Sequence, residues 1–212
     1  MEGYESEKEQ IDAIKKWWKE NGKSIIVGVV LGVGLVVGGR WWLSHQSKQA
    51  EIASDQYAMV LQEIKKGDDD AALKRGGRLM EAFAKSNYAA LTALELAKLK
   101  VDKPDLEGAR YYLQWVVDHA SAAPLKDVAR LRLARVLLAK GDKAGALKMV
   151  GAVDANTFVQ PAQELKGDIL LAEGDRDQAR AAYSAAADAV PKGGDRSRLD
   201  MKLAEAGGKG AP

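Results

Sequence analysis

The chain has 212 residues, 47% of them hydrophobic, which suffices for one domain of ordinary size plus an appendage. It has no cysteine, which excludes thiol catalysis, cysteine-ligated zinc and disulfides. The formal net charge is only +2, with no large region basic enough to suggest nucleic-acid binding, and strand-like alternation is scarce, so the sequence predicts an all-α protein.

The first stretch, 1–23, carries Ile11, Ile14, Trp17 and Trp18 on one helical face beside Lys15, Lys16 and Lys19. That pattern predicts a short amphipathic helix over 5–20 lying on a membrane surface. Residues 24–43, "SIIVGVVLGVGLVVGGRWWL", follow with a single charge, Arg40, near the end. Twenty helical residues rise about 30 Å, the thickness of a hydrocarbon core. Eleven of them are Ile, Val or Leu; on an insertion scale these favour the bilayer by roughly 3–6 kcal/mol. Trp17 and Trp18 on one side, and Arg40, Trp41 and Trp42 on the other, suit the two interfaces. A soluble core helix would show a polar face; a removable export signal would end in a small-residue cleavage site. "GVGLVVGG" fits neither phosphate-binding glycine pattern. The expectation is a single retained transmembrane helix over 24–43. Lysines before the span outnumber those just after it, which predicts a cytoplasmic N-terminus and the bulk of the chain on the far side. Ser24, Gly28, Gly32, Gly34 and Gly38 form a stripe of small residues, either a surface for close helix–helix packing or the ordinary glycine content of membrane helices.

Beyond the span, Ala50, Ala53, Tyr57, Leu61 and Ile64 recur at helical spacing up to "GDDD" (67–70). Residues 68–87, with Leu73, Gly77, Met80 and Ala84 in register, read as the second helix of a degenerate pair whose first helix is 47–66. Three twenty-residue windows then align without gaps: 94–113, 131–150 and 164–183. Each holds a helical pattern, a polar turn with Pro or Gly before Asp, and a second helix. Ala109, Ala146 and Ala179 fall at one repeat position, 37 and 33 residues apart, near the 34-residue tetratricopeptide period. Ala97, Ala134 and Gly167 are expected to face them across each hairpin, where only small side chains allow close approach. Residues 44–194 are therefore predicted to form a tetratricopeptide-like α-solenoid with a polypeptide-binding groove. The position four after each window start, Lys98, Arg135 and Asp168, is expected to face that groove, as a contact or as a solvated charge. Trp115 and Tyr88 read as core. Residues 195–212 are expected to supply a capping helix, Asp195–Glu205, and a frayed tail.

Catalytic chemistry is not visible: His45 and His119 stand in no H-E-x-x-H, and no serine lies in G-x-S-x-G. No metal or cofactor is expected. The N-terminal fifty residues, notably "ENGK" (20–23), "GVVLGVG" (28–34) and "RWWLSHQ" (40–46), with "YAALTALELAK", "LRLARV" and "KGDIL" further on, resemble the YfgM family. The C-terminal "EAGGKGAP" departs from the family pattern. The resemblance implies an ancillary, non-enzymatic subunit of the bacterial SecYEG translocon, in the inner membrane with its repeats in the periplasm. It also implies association with PpiD, a membrane-anchored periplasmic chaperone, and passage of nascent secretory or outer-membrane proteins to periplasmic chaperones. Two other roles stay open on the residues alone: an envelope-assembly scaffold, and a regulator whose N-terminal tail sequesters a cytosolic signalling protein.

Overall fold

A computed structural model describes residues 2–154 and 156–207; the side chains of residues 2–9 and 25, and the expected tail at 208–212, lie outside the described residues. The described residues form nine helices and no strand. They are α1 (Glu2–Lys66), α2 (Asp69–Ala82), α3 (Asn87–Asp102), α4 (Leu106–His119), α5 (Ala123–Ala139), α6 (Lys143–Gly151), α7 (Val159–Glu173), α8 (Arg176–Asp188) and α9 (Ser197–Glu205). The chain divides into two compact units, Met1–Gln49 and Ala50–Pro212.

The first unit is helical from Glu2 onward, so the surface helix expected over 5–20 and the apolar stretch belong to one element. The polar junction "ENGK" stays helical because it is tied to the tryptophans before it. The Asn21 amide donates to the Trp17 carbonyl at 3.0 Å, and the Trp18 ring covers Gly22, where a Cβ would lie 3.1 Å from ring carbon Cε2.

The second unit is a stack of helix pairs, α3/α4, α5/α6 and α7/α8, preceded by the end of α1 with α2. One turn recurs at each hairpin. Gly67, Gly141 and Gly174 adopt φ of 76°, 82° and 90°, the left-handed conformation that closes a helix and that glycine takes without a Cβ penalty. The next residue, Asp68, Asp142 or Asp175, donates its N–H back to a carbonyl of the finished helix, at 2.9–3.0 Å. Its carboxylate accepts the N–H three residues on, at 2.8–3.0 Å, and so caps the new helix. Asp105 does the same after Pro104, accepting from Gly108 at 2.8 Å. Each such cap contributes about 1 kcal/mol.

Packing follows the small residues. Ala97 and Ala109 are buried in one core cluster, Ala134 and Ala146 in the next, and Ala179 in a third. A Cβ at Gly167 would run into the Tyr183 ring, so that aromatic residue occupies the space left by the missing side chain. In α2 the close approach falls at Gly76, where a Cβ would come within 2.8 Å of Leu96, and not at Gly77, which has nothing within 4 Å. The helix also ends at Ala82, leaving Ala84 in a turn, because Ser86 caps α3 by accepting from Tyr88 N–H at 3.1 Å. Among the described residues, the first helices of successive pairs, α3 with α5 and α5 with α7, approach each other more closely than the second helices, α4 with α6 and α6 with α8. A stack bent toward its first-helix layer produces that asymmetry. α9 packs on α8 as α5 packs on α4 and α7 on α6, so it stands where the first helix of a further pair would stand.

Candidate functional site

The three predicted groove positions separate into two environments. Lys98 on α3 and Arg135 on α5 line one cavity of about 300 Å³, together with Arg132, one turn before Arg135. Its apolar walls are Val101, Leu106, Leu113 and Val136, of which Leu113 is 1% exposed and Val101 45%. The three cations are exposed, and among the described residues none forms an ion pair with a carboxylate. Other cations on these helices do pair: Lys100 with Asp105 at 3.0 Å, Arg130 with Asp127 at 2.7 Å, and Lys140 with Glu107. Hydrogen bonds from Lys140 and then Arg110 hold the Glu107 carboxyl below the usual glutamate range. The rim of the cavity is therefore a local excess of positive charge over an apolar floor.

Asp168 lies outside that cavity. Its carboxylate accepts from the Tyr183 hydroxyl at 2.9 Å and from Lys202 Nζ of α9 at 2.5 Å. One turn earlier, Glu164 pairs with Arg198 at 2.7 Å and with Lys202 at 2.9 Å. Lys202 also stands 5.6 Å from the centre of the Tyr183 ring. Burial, and then the hydrogen bond to Asp168, push the Tyr183 phenol above its ordinary value. The far end of the stack is thus closed by the chain's own helix. That helix begins at Ser197, two residues later than expected, because Asp195 accepts from the Ser197 N–H at 2.9 Å and its hydroxyl at 2.6 Å.

Sequence reasoning passed over Arg132, Arg198 and Lys202. Arg132 was legible from its three-residue spacing to Arg135. Arg198 and Lys202 stand 34 residues after Glu164 and Asp168, one repeat further on. Trp115 is half-buried against the core and stacks on His119, ring centres 4.6 Å apart; Tyr88 is half-buried and tilts against Tyr57 at 6.0 Å.

In the first unit every described residue from 26 to 43 is exposed. A Cβ at Gly28, Gly32, Gly34 or Gly38 would meet nothing within 4 Å, and Ser24 is exposed on the same helix. Trp17, Trp18, Trp41 and Trp42 are 52–67% exposed, Arg40 is exposed, and Trp41 stacks on His45. One helix among the described residues is long and apolar enough to cross a membrane, and its apolar window is 0% buried.

Comparisons with known proteins agree with this organisation. A family model described as a tetratricopeptide repeat-like domain matches residues 15–208. The chain is 38% identical to a protein of Escherichia coli (strain K12) named "Ancillary SecYEG translocon subunit", over 87% of this chain and 89% of that one. A protein of the same name from Haemophilus influenzae is 33% identical, covering 85% and 88%, and one from Neisseria gonorrhoeae is 24% identical, covering 96% and 98%. The crystal structure of MamA protein is similar in fold, with a TM-score of 0.57 at 22% identity, covering 76% of this chain and 81% of that one.

Proposed function

The chain belongs to the family of ancillary SecYEG translocon subunits, and we propose on that premise that it is a non-enzymatic accessory subunit of the Sec protein-translocation channel. In this reading residues 24–43 anchor it in the inner membrane with the N-terminus cytoplasmic and the repeats periplasmic. The excess of lysines before the span supports that orientation, and the four tryptophans sit where interfacial belts would be. The stripe Ser24, Gly28, Gly32, Gly34 and Gly38 meets another membrane helix, since open space beside the glycines admits a neighbouring backbone. The repeats hold a PpiD-type chaperone, and emerging secretory or outer-membrane clients, at the channel exit. The groove at Lys98 and Arg135 receives that polypeptide.

The observation that carries this reading is the extent of the family match, which runs through both the apolar segment and the repeats. Purification of the tagged full chain from membranes in mild detergent tests it. SecYEG subunits and a periplasmic chaperone are expected to co-purify; their absence overturns the translocon role. Alkaline carbonate should leave the protein in the membrane, and protease added to spheroplasts should digest the repeats while sparing residues 1–23.

A further inference from the structure

The cavity between α3, α4 and α5 has a sign and a shape, and together they define what fits it. At two seams, α3/α5 and α7/α9, equivalent residues of first helices come together one repeat apart. Between α7 and α9 those residues are opposite in charge, Glu164 with Arg198 and Asp168 with Lys202, and they bond. Between α3 and α5 the corresponding residues are Lys98 and Arg135, which are alike in charge and leave a gap of about 300 Å³. Arg132 adds a third cation to its edge. Below lie Leu106 and Leu113, with Val101 left 45% exposed at the mouth. An apolar cavity of about 150 Å³ accepts a benzene ring, so this one has room for an aromatic side chain and part of its neighbour. A small inorganic anion would leave the floor uncovered, and an uncharged apolar group would leave three like charges unneutralised.

We propose that this cavity is the docking point for an acidic segment of a partner polypeptide, which sets one large apolar side chain over Leu106 and Leu113 and flanking Asp or Glu carboxylates against Lys98, Arg132 and Arg135. The closed α7–α9 seam supplies the precedent within the same molecule, with apolar Leu199 and Leu203 packed beneath ion pairs of the opposite polarity. The proposal rests on the groove assignment made above and deepens it by giving the chemistry of the partner segment. Rim charges facing an acidic chain also speed encounter and reject basic segments.

The test uses the full-length protein in phosphatidylcholine nanodiscs and three fluorescein-labelled decapeptides: one with phenylalanine flanked by glutamates, one with lysines replacing the glutamates, and one with serine replacing the phenylalanine. Anisotropy titrations are expected to show saturable binding of the first, about tenfold tighter than either control and weakened by 0.5 M salt. The double variant Arg132→Glu/Arg135→Glu should lose the acidic peptide by tenfold or more and prefer the lysine peptide. Lys98→Glu serves the same purpose should the double variant fold poorly, and Val101→Trp should block all three peptides at the mouth. Equal affinities among the peptides, or an unchanged preference in the reversed variants, would overturn the proposal. So would saturable binding of oleate that Val101→Trp abolishes with no binding of any peptide, or occupation of the cavity by a second copy, seen as self-association that Val101→Trp abolishes. Translocon co-purification is scored on the same preparations. A chain that brings down SecYEG without discriminating peptides defeats this inference alone; one that discriminates peptides but brings down no translocon subunit defeats the accessory role alone.

Discussion

The α3–α5 seam and the α7–α9 seam are built on the same repeat positions and end in opposite states. At the first, Lys98 and Arg135 stand on facing helices with Arg132 alongside, and the space between them stays open. At the second, Asp168 and Glu164 face Lys202 and Arg198, and the seam is shut by three ion pairs and the hydroxyl of Tyr183. The local frame is similar: each seam follows a hairpin capped by an aspartate, Asp105 after Pro104 at the first and Asp175 after Gly174 at the second, with buried small residues where the paired helices cross. The difference lies in a few charges. At these two seams the equivalent positions differ in charge sign, and only the seam with opposite charges is bonded.

Four measurements break or sharpen that contrast. The largest effect is expected from Gly167→Leu, which drives a side chain into the space of the Tyr183 ring beneath the closed seam. Overpacking of this kind should cost about 2–3 kcal/mol in urea denaturation followed by circular dichroism, whereas Ala134→Gly at the equivalent place in the preceding pair should cost about 1 kcal/mol. Next, Glu164→Ala leaves Arg198 without its partner and Lys202 with one of two. Because Arg198 is 66% exposed and Lys202 24%, the loss is expected at about 1–2 kcal/mol, with amides 197–205 losing hydrogen-exchange protection before the rest of the unit.

Tyr183→Phe, third, removes the hydroxyl that donates to Asp168 and should cost about 1 kcal/mol at neutral pH. It carries a pH signature too. The folded-state phenol is raised, so its contribution is fully present below about pH 10, where the unfolded tyrosine titrates, and is lost as pH rises through the higher folded value. Wild type should therefore lose stability steeply above pH 10, and the Phe variant should flatten that limb. The smallest effect belongs to the open seam: Arg132→Glu with Arg135→Glu should shift folding stability by no more than about 0.5 kcal/mol, because both are exposed and neither has a carboxylate partner among the described residues. A large loss there would show that the open rim, like the closed one, is part of the fold's support.

Much of this is legible in the sequence alone. The apolar run, the helical hairpins, the Gly-Asp turns and the alanines at Ala97, Ala109, Ala134, Ala146 and Ala179 are local signals, set by short-range sterics and capping, and a linear reading captures them. Groove assignment went only as far as repeat position allowed. Lys98 and Arg135 share a cavity, but Asp168 is engaged by a helix that the repeat pattern does not extend to. A pairwise contact between residues 34 apart shows in sequence only when the last helix is counted as one more first helix. The shift from Gly77 to Gly76 has a similar cause: both glycines suit a crowded helix face, and only the approach of Leu96 decides between them.

The Gly-Asp turn has a consequence for assembly. Each one both ends a helix and starts the next with bonds made inside a few residues, and packing then reaches no further along the chain than two helices. Such a polypeptide has little loop-closure entropy to overcome and no distant segment to await. It can zip up in order, hairpin upon hairpin, as it emerges through a narrow opening, with α9 arriving last to seal an edge that would otherwise stay raw.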